Sequence, residues 1–182
     1  MAISVVQSKT GRTASGTSLT VTLDSASTNG NKLIAVAFRN SGTAGLTWDF
    51  DGGGTGTQAV GGTGSGNEGR IRYFDIVAGE NAVTISSDTS ILELVLFEVS
   101  GLAAGNADVT ASSGNANSVT SRTSGTTAVP SVADCFCVAQ VSASAALGTT
   151  EAWTNSYTLV TPETDNRHIV GHLIISAAAA QE

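Results

Sequence analysis

The sequence predicts an all-β fold: an antiparallel, jelly-roll-like β-sandwich of about 8–10 strands with two long Gly/Ser/Thr-rich loops. The first observation is composition, because 21 Gly, 22 Ser and 24 Thr in 182 residues, with only 13% charged residues, exclude a helical bundle or coiled coil. The second is a set of short apolar segments with period-two alternation. The third is the Gly, Asn and Ser residues between them, which are typical of turns. A mean hydropathy of +0.15 argues against a disordered chain.

Alternation identifies the individual strands. Residues 18–23 place Leu19, Val21 and Leu23 on one side and hydroxyl side chains on the other, which predicts a strand with one buried face. Residues 32–38 follow an Asn-Gly-Asn turn and are apolar on both faces, so we expect a central strand there. Residues 91–99 have some helix propensity, but they are short and partly β-branched, which favours a buried strand. Further strands are expected at residues 46–50, 70–76, 81–86, 132–141, 156–160 and 168–176.

Length favours one domain over residues 1–182. Two low-complexity stretches, residues 51–69 and 101–131, are expected to be the long loops, and loops of this length usually carry contacts with partners. Residues 1–8 are interpreted as an N-terminal docking arm and residues 177–182 as a tail.

Charge and hydropathy restrict the partners and the cellular location. Eight Lys and Arg residues face fifteen Asp and Glu residues, and the basic ones are scattered, so no nucleic-acid surface is expected. No apolar run has the length of a membrane span, and the N-terminus lacks the pattern of a secretory signal. We therefore expect synthesis in the cytoplasm without a signal peptide, and no membrane partner.

The motifs that usually indicate catalysis or cofactor binding lack their structural context. Residues 64–69 match the G-x-G-x-x-G fingerprint of dinucleotide sites, yet a strand follows where a helix is required. Glu93 and Glu98 invite comparison with a glycosidase pair, but on an unbroken strand a spacing of five sends them to opposite faces. The sequence therefore predicts no catalytic residues and no cofactor, with a polysaccharide hydrolase kept as a minor alternative.

The cysteines and histidines give no metal site. Cys135 and Cys137 share one face of a strand at a distance that suits no mutual disulfide, and they are interpreted as buried structural thiols. On a strand, His168 and His172 lie about 13 Å apart, too far to share a metal ion. Packing at the surface or between subunits is the preferred interpretation of both.

Five residues are the candidate ligand-binding set. Aromatic residues are scarce at 5%, so Trp48 and Trp153, each near a turn, are candidates to stack on a sugar ring, with Tyr157 beside them. Packing of one or both indoles in the core of the sandwich or at its ends is the preferred interpretation. Asp49 and Asp51 resemble the start of a calcium loop, although its later ligands are absent, and they are equally typical of a strand end.

A family resemblance rests on residues 71–86 and 92–101. A strand with Tyr73 precedes a Gly-x-Asn turn at Gly79, a Val-Thr-Ile strand, and a strand that ends in Glu-x-Ser-Gly. This order resembles a motif of bacterial and phage jelly-roll β-sandwich domains. Residues 31–37 and 133–139 fit the same pattern, so the resemblance covers most of the chain.

The resemblance implies a bacteriophage structural protein: a capsid decoration (cement) or head-fibre protein of the virion. Such a protein is not an enzyme, docks on the major capsid protein or another virion protein, and stabilises the shell, here expected as a homotrimer on the capsid surface. A carbohydrate-binding, lectin-like module that uses Trp48 and Trp153 on surface glycans is the alternative.

Overall fold

The structure is a computed structural model that describes residues 2–40, 43–51, 54–64, 66–103, 105, 107–112, 127–132, 134–143, 156–160 and 167–176. Within these residues the chain forms nine strands and no helix. The strands are β1 (Ser4–Thr22), β2 (Lys32–Asn40), β3 (Thr47–Phe50), β4 (Thr57–Gly64), β5 (Asn67–Asp75), β6 (Ala82–Ser100), β7 (Cys135–Ser142), β8 (Thr158–Val160) and β9 (His168–Ile175). All pairings between them are antiparallel, so the predicted all-β sandwich class is confirmed.

The strands form a large and a small sheet. The large sheet has six strands in the order β1-β6-β2-β5-β4, and β3 pairs with β6 as well. The small sheet has the order β7-β9-β8. Strand β2 lies between β6 and β5 and is buried throughout, as its two apolar faces predict.

Two strands of 19 residues, β1 and β6, run antiparallel along the whole large sheet. Their register shifts around Gly16, between the pairs Thr13–Leu92 and Ser18–Ser86, and the sheet curls over at this point. The curl brings the two halves of β1 close together. A Cβ on Gly11 would lie 2.5 Å from a methyl group of Val21. The large sheet therefore has a concave face and a convex face.

The concave face holds the first hydrophobic core. It combines residues from both halves of β6, such as Ile85 and Leu94, with side chains of β1, β2 and β3. Its buried members are Val21, Leu23, Leu33, Ala35, Ala37, Leu46, Trp48, Phe50, Ile76, Val83, Ile85, Leu92, Leu94 and Leu96. This mixing of distant segments is what the curl of the sheet produces.

The convex face holds the second core, which the small sheet covers. Phe97 and Val36 of the large sheet pack with Val170 of β9 and with Phe136 and Val138 of β7. Gly69 of β5 permits the close approach, since a Cβ there would lie 2.8 Å from the hydroxyl of Ser142. We call this contact between the convex face and the small sheet the seam.

Two details of the predicted organisation need correction. The stretch 51–69 was expected to be one long loop, but β4 and the start of β5 lie inside it and pair with each other. The separate strands expected at 81–86 and 91–99 are one continuous strand, β6. From Ser4 onward, the expected N-terminal arm at residues 1–8 belongs to β1 and pairs with β6, and its docking on a partner stays a prediction. The tail at 177–182 and most of the second loop lie outside the described residues.

The part of the chain that the structure describes contains no helix long and apolar enough to cross a membrane.

The curl makes a prediction about Gly11. The substitution Gly11→Ala should lower the free energy of unfolding by about 1–3 kcal/mol, because the new methyl group meets Val21 and the concave core must shift. Urea unfolding followed by circular dichroism measures the change.

Gly45→Ala is the matched control, since a Cβ there meets only one carboxylate oxygen, of Glu68, at 3.7 Å. It should change stability by less than about 0.5 kcal/mol. In a Val21→Ala background the cost of Gly11→Ala should fall. An equal cost in both backgrounds would contradict the contact across the curl.

Candidate functional site

Trp48, the principal residue predicted to bind a ligand, lies in the concave core. Its side chain is 7% exposed and stacks on Phe50, with ring centroids 6.3 Å apart, and Phe50 stacks on Phe74 at 5.4 Å. The guanidinium of Arg72 lies over the indole, 5.4 Å from its centroid. Of the two interpretations of Trp48, packing inside the sandwich is the one that the structure has.

The chain itself covers this row of aromatic rings. Gly54 lies against the ring of Phe74, and a Cβ on Gly56 would be 2.6 Å from the ring of Phe50. Glycine is required at both positions because any side chain would displace a ring, and Gly56 also has a positive φ of 63°. The aromatic surface is therefore closed by backbone.

Asp49 and Asp51 lie on the outside of the large sheet. Asp49 stands opposite Thr84 of β6, on the face away from Trp48, and the amide of Asp51 donates to the carbonyl of Ala82 at 2.9 Å. Both residues are exposed. Among the described residues no group of three or more His, Cys, Asp or Glu side chains is placed to hold a metal ion. Calcium binding by Asp49 and Asp51 stays a prediction.

Tyr157 belongs to the other sheet. It directly precedes β8 and contacts Cys137 of β7; burial, followed by the nearby Cys137, raises the pKa of its phenol to about 12. Trp153 lies outside the described residues. The structure therefore does not bring Tyr157 together with Trp48, Asp49 and Asp51.

The two cysteines are free and half-buried rather than fully buried as expected. Burial raises the pKa of both thiols, and for Cys135 the carboxylates of Asp108 and Asp134 add to the shift. Both therefore remain protonated at neutral pH. A protonated thiol is a poor nucleophile and a poor metal ligand.

Glu93 and Glu98 point to opposite faces of β6, as their spacing predicts. Glu98 faces the concave side and accepts hydrogen bonds from the side chains of Gln7 at 2.7 Å and Asn31 at 2.6 Å, and from the amide of Thr28 at 2.9 Å. Burial alone would raise its pKa, but these hydrogen bonds outweigh burial and lower it. The carboxylate thus fastens the turn before β2 to β1.

Glu93 faces the seam, within a row of polar groups that sequence reasoning missed. Arg12 donates from Nε to one oxygen of Glu93 at 3.1 Å, and Nδ1 of His168 lies 3.7 Å from the other oxygen. Nε2 of His168 forms a hydrogen bond with the side-chain oxygen of Gln140 at 3.0 Å. Four strands meet in this row, which joins the two sheets.

His168 corrects a second expectation. It was expected at the surface or between subunits, yet it is 1% exposed and its ring lies 5.5 Å from that of Phe38. Burial lowers its pKa to about 3, so it is neutral at physiological pH. The available signal was the alternation of β9, which sets His168, Val170 and His172 on one face.

A second set of charged side chains, around Glu68 and Asp88, holds the loop that precedes β3. Glu68 accepts hydrogen bonds from Arg39, from Arg70 and from the amide of Leu46 at 2.9 Å. Nearby, the carboxylate of Asp88 accepts the amides of Thr43 and Ala44, which together with the Ser87 hydroxyl lower its pKa to about 2. These carboxylates hold a loop rather than present a reactive group to solvent.

The small sheet has an apolar outer face. Alternation along its three strands turns one set of side chains into the seam and the other set outward. The outward set contains no charged residue and consists of Cys135, Cys137, Ala139, Val141, Leu159, Ile169, Leu173 and Ile175. Ile169 is buried, Leu159 is 41% exposed, and the others are half-buried. We call this set the outer apolar face.

Comparison of the chain with protein-family models, curated proteins and solved structures finds no match among any of them.

Trp48 supports a test of whether it is a core or a binding residue. Trp48→Ala should lower the free energy of unfolding by about 3–5 kcal/mol, because it leaves a cavity beside Phe50. Trp48→Phe should cost much less, since the buried indole Nε1 donates no hydrogen bond within the protein. Urea unfolding of both variants gives the comparison, and a Trp48→Ala protein as stable as the parent would contradict the core assignment.

Glu98 makes a pH prediction. Because its pKa is lower in the folded protein than the ordinary 4.5, its stabilising contribution is present above that value and is lost as pH falls through the folded-state pKa. Glu98→Gln should therefore flatten the acid limb of the stability curve. Unfolding measured between about pH 5 and about pH 2.5 tests this, and an unchanged acid limb would show that the carboxylate does not stabilise the fold.

Proposed function

We propose that this chain is a non-enzymatic structural protein of a bacteriophage virion: a decoration protein that docks on the outside of the capsid and stabilises the shell. The observation that carries the proposal is the outer apolar face of the small sheet. Its side chains are uncharged, on a chain whose net charge is −7, and Leu159 among them is 41% exposed. Apolar surface of this kind is typical of a protein–protein contact.

The use of charge inside the molecule supports a structural role. The buried carboxylates Glu68, Glu93 and Glu98 all accept hydrogen bonds from side chains or amides of the fold. Glu93 and Glu98, the pair that glycoside hydrolysis would need, lie on opposite faces of β6: Glu98 on the concave face and Glu93 in the seam. The three carboxylates therefore hold strands and turns together.

The resemblance of residues 71–101 to phage jelly-roll domains gives the proposal its partner, a major capsid protein. A stable contact buries about 1,200–2,000 Å² in total, and many copies on a symmetric shell multiply the effect of each contact. A homotrimer fits docking at a threefold position of the lattice. Light scattering of the purified protein tests the trimer separately from docking.

The glycan-binding alternative is not favoured by the position of Trp48. A sugar would need to reach an indole that is 7% exposed, with Phe50 stacked on it and the Arg72 guanidinium over its ring. Asp49 is exposed but lies on the opposite face of β3.

Docking is tested on shells of the virus that encodes this chain, purified without the protein and then mixed with it. The parent protein should sediment with the shells and raise the temperature at which they disassemble. Leu159→Glu should weaken binding by at least about 10-fold, because docking would bury the new charge. Mass spectrometry of complete particles should find the protein in the shell.

Val77→Glu is the matched control, because Val77 is equally apolar and is 67% exposed, but it lies after β5 on the large sheet. It should bind like the parent. Absence of the protein from particles would overturn the proposal, and equal loss with both variants would overturn the role of the outer apolar face. Retention on a glycan array in place of shell binding would favour the lectin alternative.

A further inference from the structure

Both histidines of the chain lie in the seam. The sequence contains only two, His168 and His172, and both project from the same face of β9 toward the large sheet. Neither Nδ1 atom has a hydrogen-bond partner. The contact between the two sheets therefore contains two groups that gain a charge in mild acid once they are exposed to water.

His168 lies at one end of the seam, where several strands meet. It contacts Phe38 of β2 and Gln140 of β7, and it faces Glu93 of β6, whose other oxygen is held by Arg12 of β1. The charges of Arg12 and Glu93 oppose each other, so a proton added to His168 brings an additional buried charge into this group. Arg167 precedes His168 along the chain.

His172 lies further along the same strand, among aromatic rings. Its ring stacks on Phe136 of β7 at 5.7 Å and meets Phe97 of β6 edge to face at 5.4 Å. Tyr73 of β5 is the titratable side chain of the surrounding core cluster. A protonated His172 would therefore place its charge against aromatic and aliphatic side chains.

We propose that the seam is an acid-sensitive joint: protonation of His168 and His172 undocks the small sheet from the convex face while the concave core stays folded. The two cores share β6 and β2 but use opposite faces of these strands. The core at the seam can therefore open while the concave core stays packed. Opening exposes Val36, Val95, Phe97 and the facing side chains of β7 and β9. The proposal is independent of the partner to which the whole protein binds.

The direction of the pH dependence follows from burial of the neutral imidazole rings. Burial lowers the pKa of both histidines in the docked state, and exposure returns each toward 6.5. The open state thus binds more protons, so docking is favoured above about pH 6.5 and weakens as pH falls below it. With a docked pKa of about 3, His168 alone should raise the opening equilibrium about 30-fold at pH 5 relative to pH 8.

Hydrogen exchange followed by mass spectrometry measures this opening in the full chain. Protection factors, corrected for the intrinsic rate at each pH, are compared at about pH 8 and about pH 5. Peptides from β7 and β9 should lose protection by at least about 30-fold in acid. Peptides from β3 and from residues 82–86 of β6, which belong to the concave core, should keep theirs.

A double variant, His168→Gln with His172→Phe, isolates the histidines. Glutamine keeps a polar contact with Gln140, and phenylalanine keeps the ring packing between Phe97 and Phe136. It should remain docked at both pH values. Single His172→Phe, the milder change, should reduce the acid response and supplies the test if the double variant does not fold.

Two results would overturn the proposal. Equal protection of β9 at both pH values would show that the seam does not respond to acid. Loss of protection in the concave core in step with β9, or an acid response unchanged in the His172→Phe and double variants, would assign the effect to global unfolding or to other groups.

Discussion

The pairing of β1 with β6 is the constraint on which the rest of the structure depends. Two 19-residue strands held along their length form a ribbon too long to stay flat, and the right-handed twist of strands curls it. The curl occurs at the register shifts around Gly16 and brings Gly11 against Val21. It creates an enclosed concave face and leaves the convex face to be covered by a second sheet.

This division of faces decides what each side chain on β6 does. Leu94, Leu96 and Glu98 serve the concave side, whereas Glu93, Val95 and Phe97 serve the seam. Charged residues near the cores are held by partners: Glu98 by Gln7 and Asn31, and Glu93 by Arg12. The described part of the chain thus uses its few charged side chains to fix turns and join sheets, and the outward side chains of its small sheet are uncharged.

Period-two alternation made much of this architecture predictable. Leu19, Val21 and Leu23 face the core as the alternation indicates, and the apolar β2 is a central strand. Strand β4 escaped prediction because its Gly residues have little strand propensity, so pairing with β5 determines its structure. The continuity of β6 was hidden by the polar residues near its bend, such as Asp88 and Ser90.

The site was less predictable than the fold because it depends on tertiary contacts. Sequence gives no indication that Arg12, Glu93, Gln140 and His168, which come from four different strands, meet at one place. For Trp48, proximity to a turn suggested exposure, whereas the curl of the sheet places the indole inside. Alternation did separate Glu93 from Glu98, because that inference needs only the strand itself.

The most direct test of the curled β1–β6 pair is a nuclear Overhauser measurement on the isotope-labelled chain. The structure predicts strong contacts between the α-protons of Gly11 and a methyl group of Val21, ten residues apart on the same strand, together with ladder contacts of Gly11 to Leu94 and of Val21 to Val83. Ladder contacts without the Gly11–Val21 contact would mean an uncurled ribbon and would contradict the division into concave and convex faces.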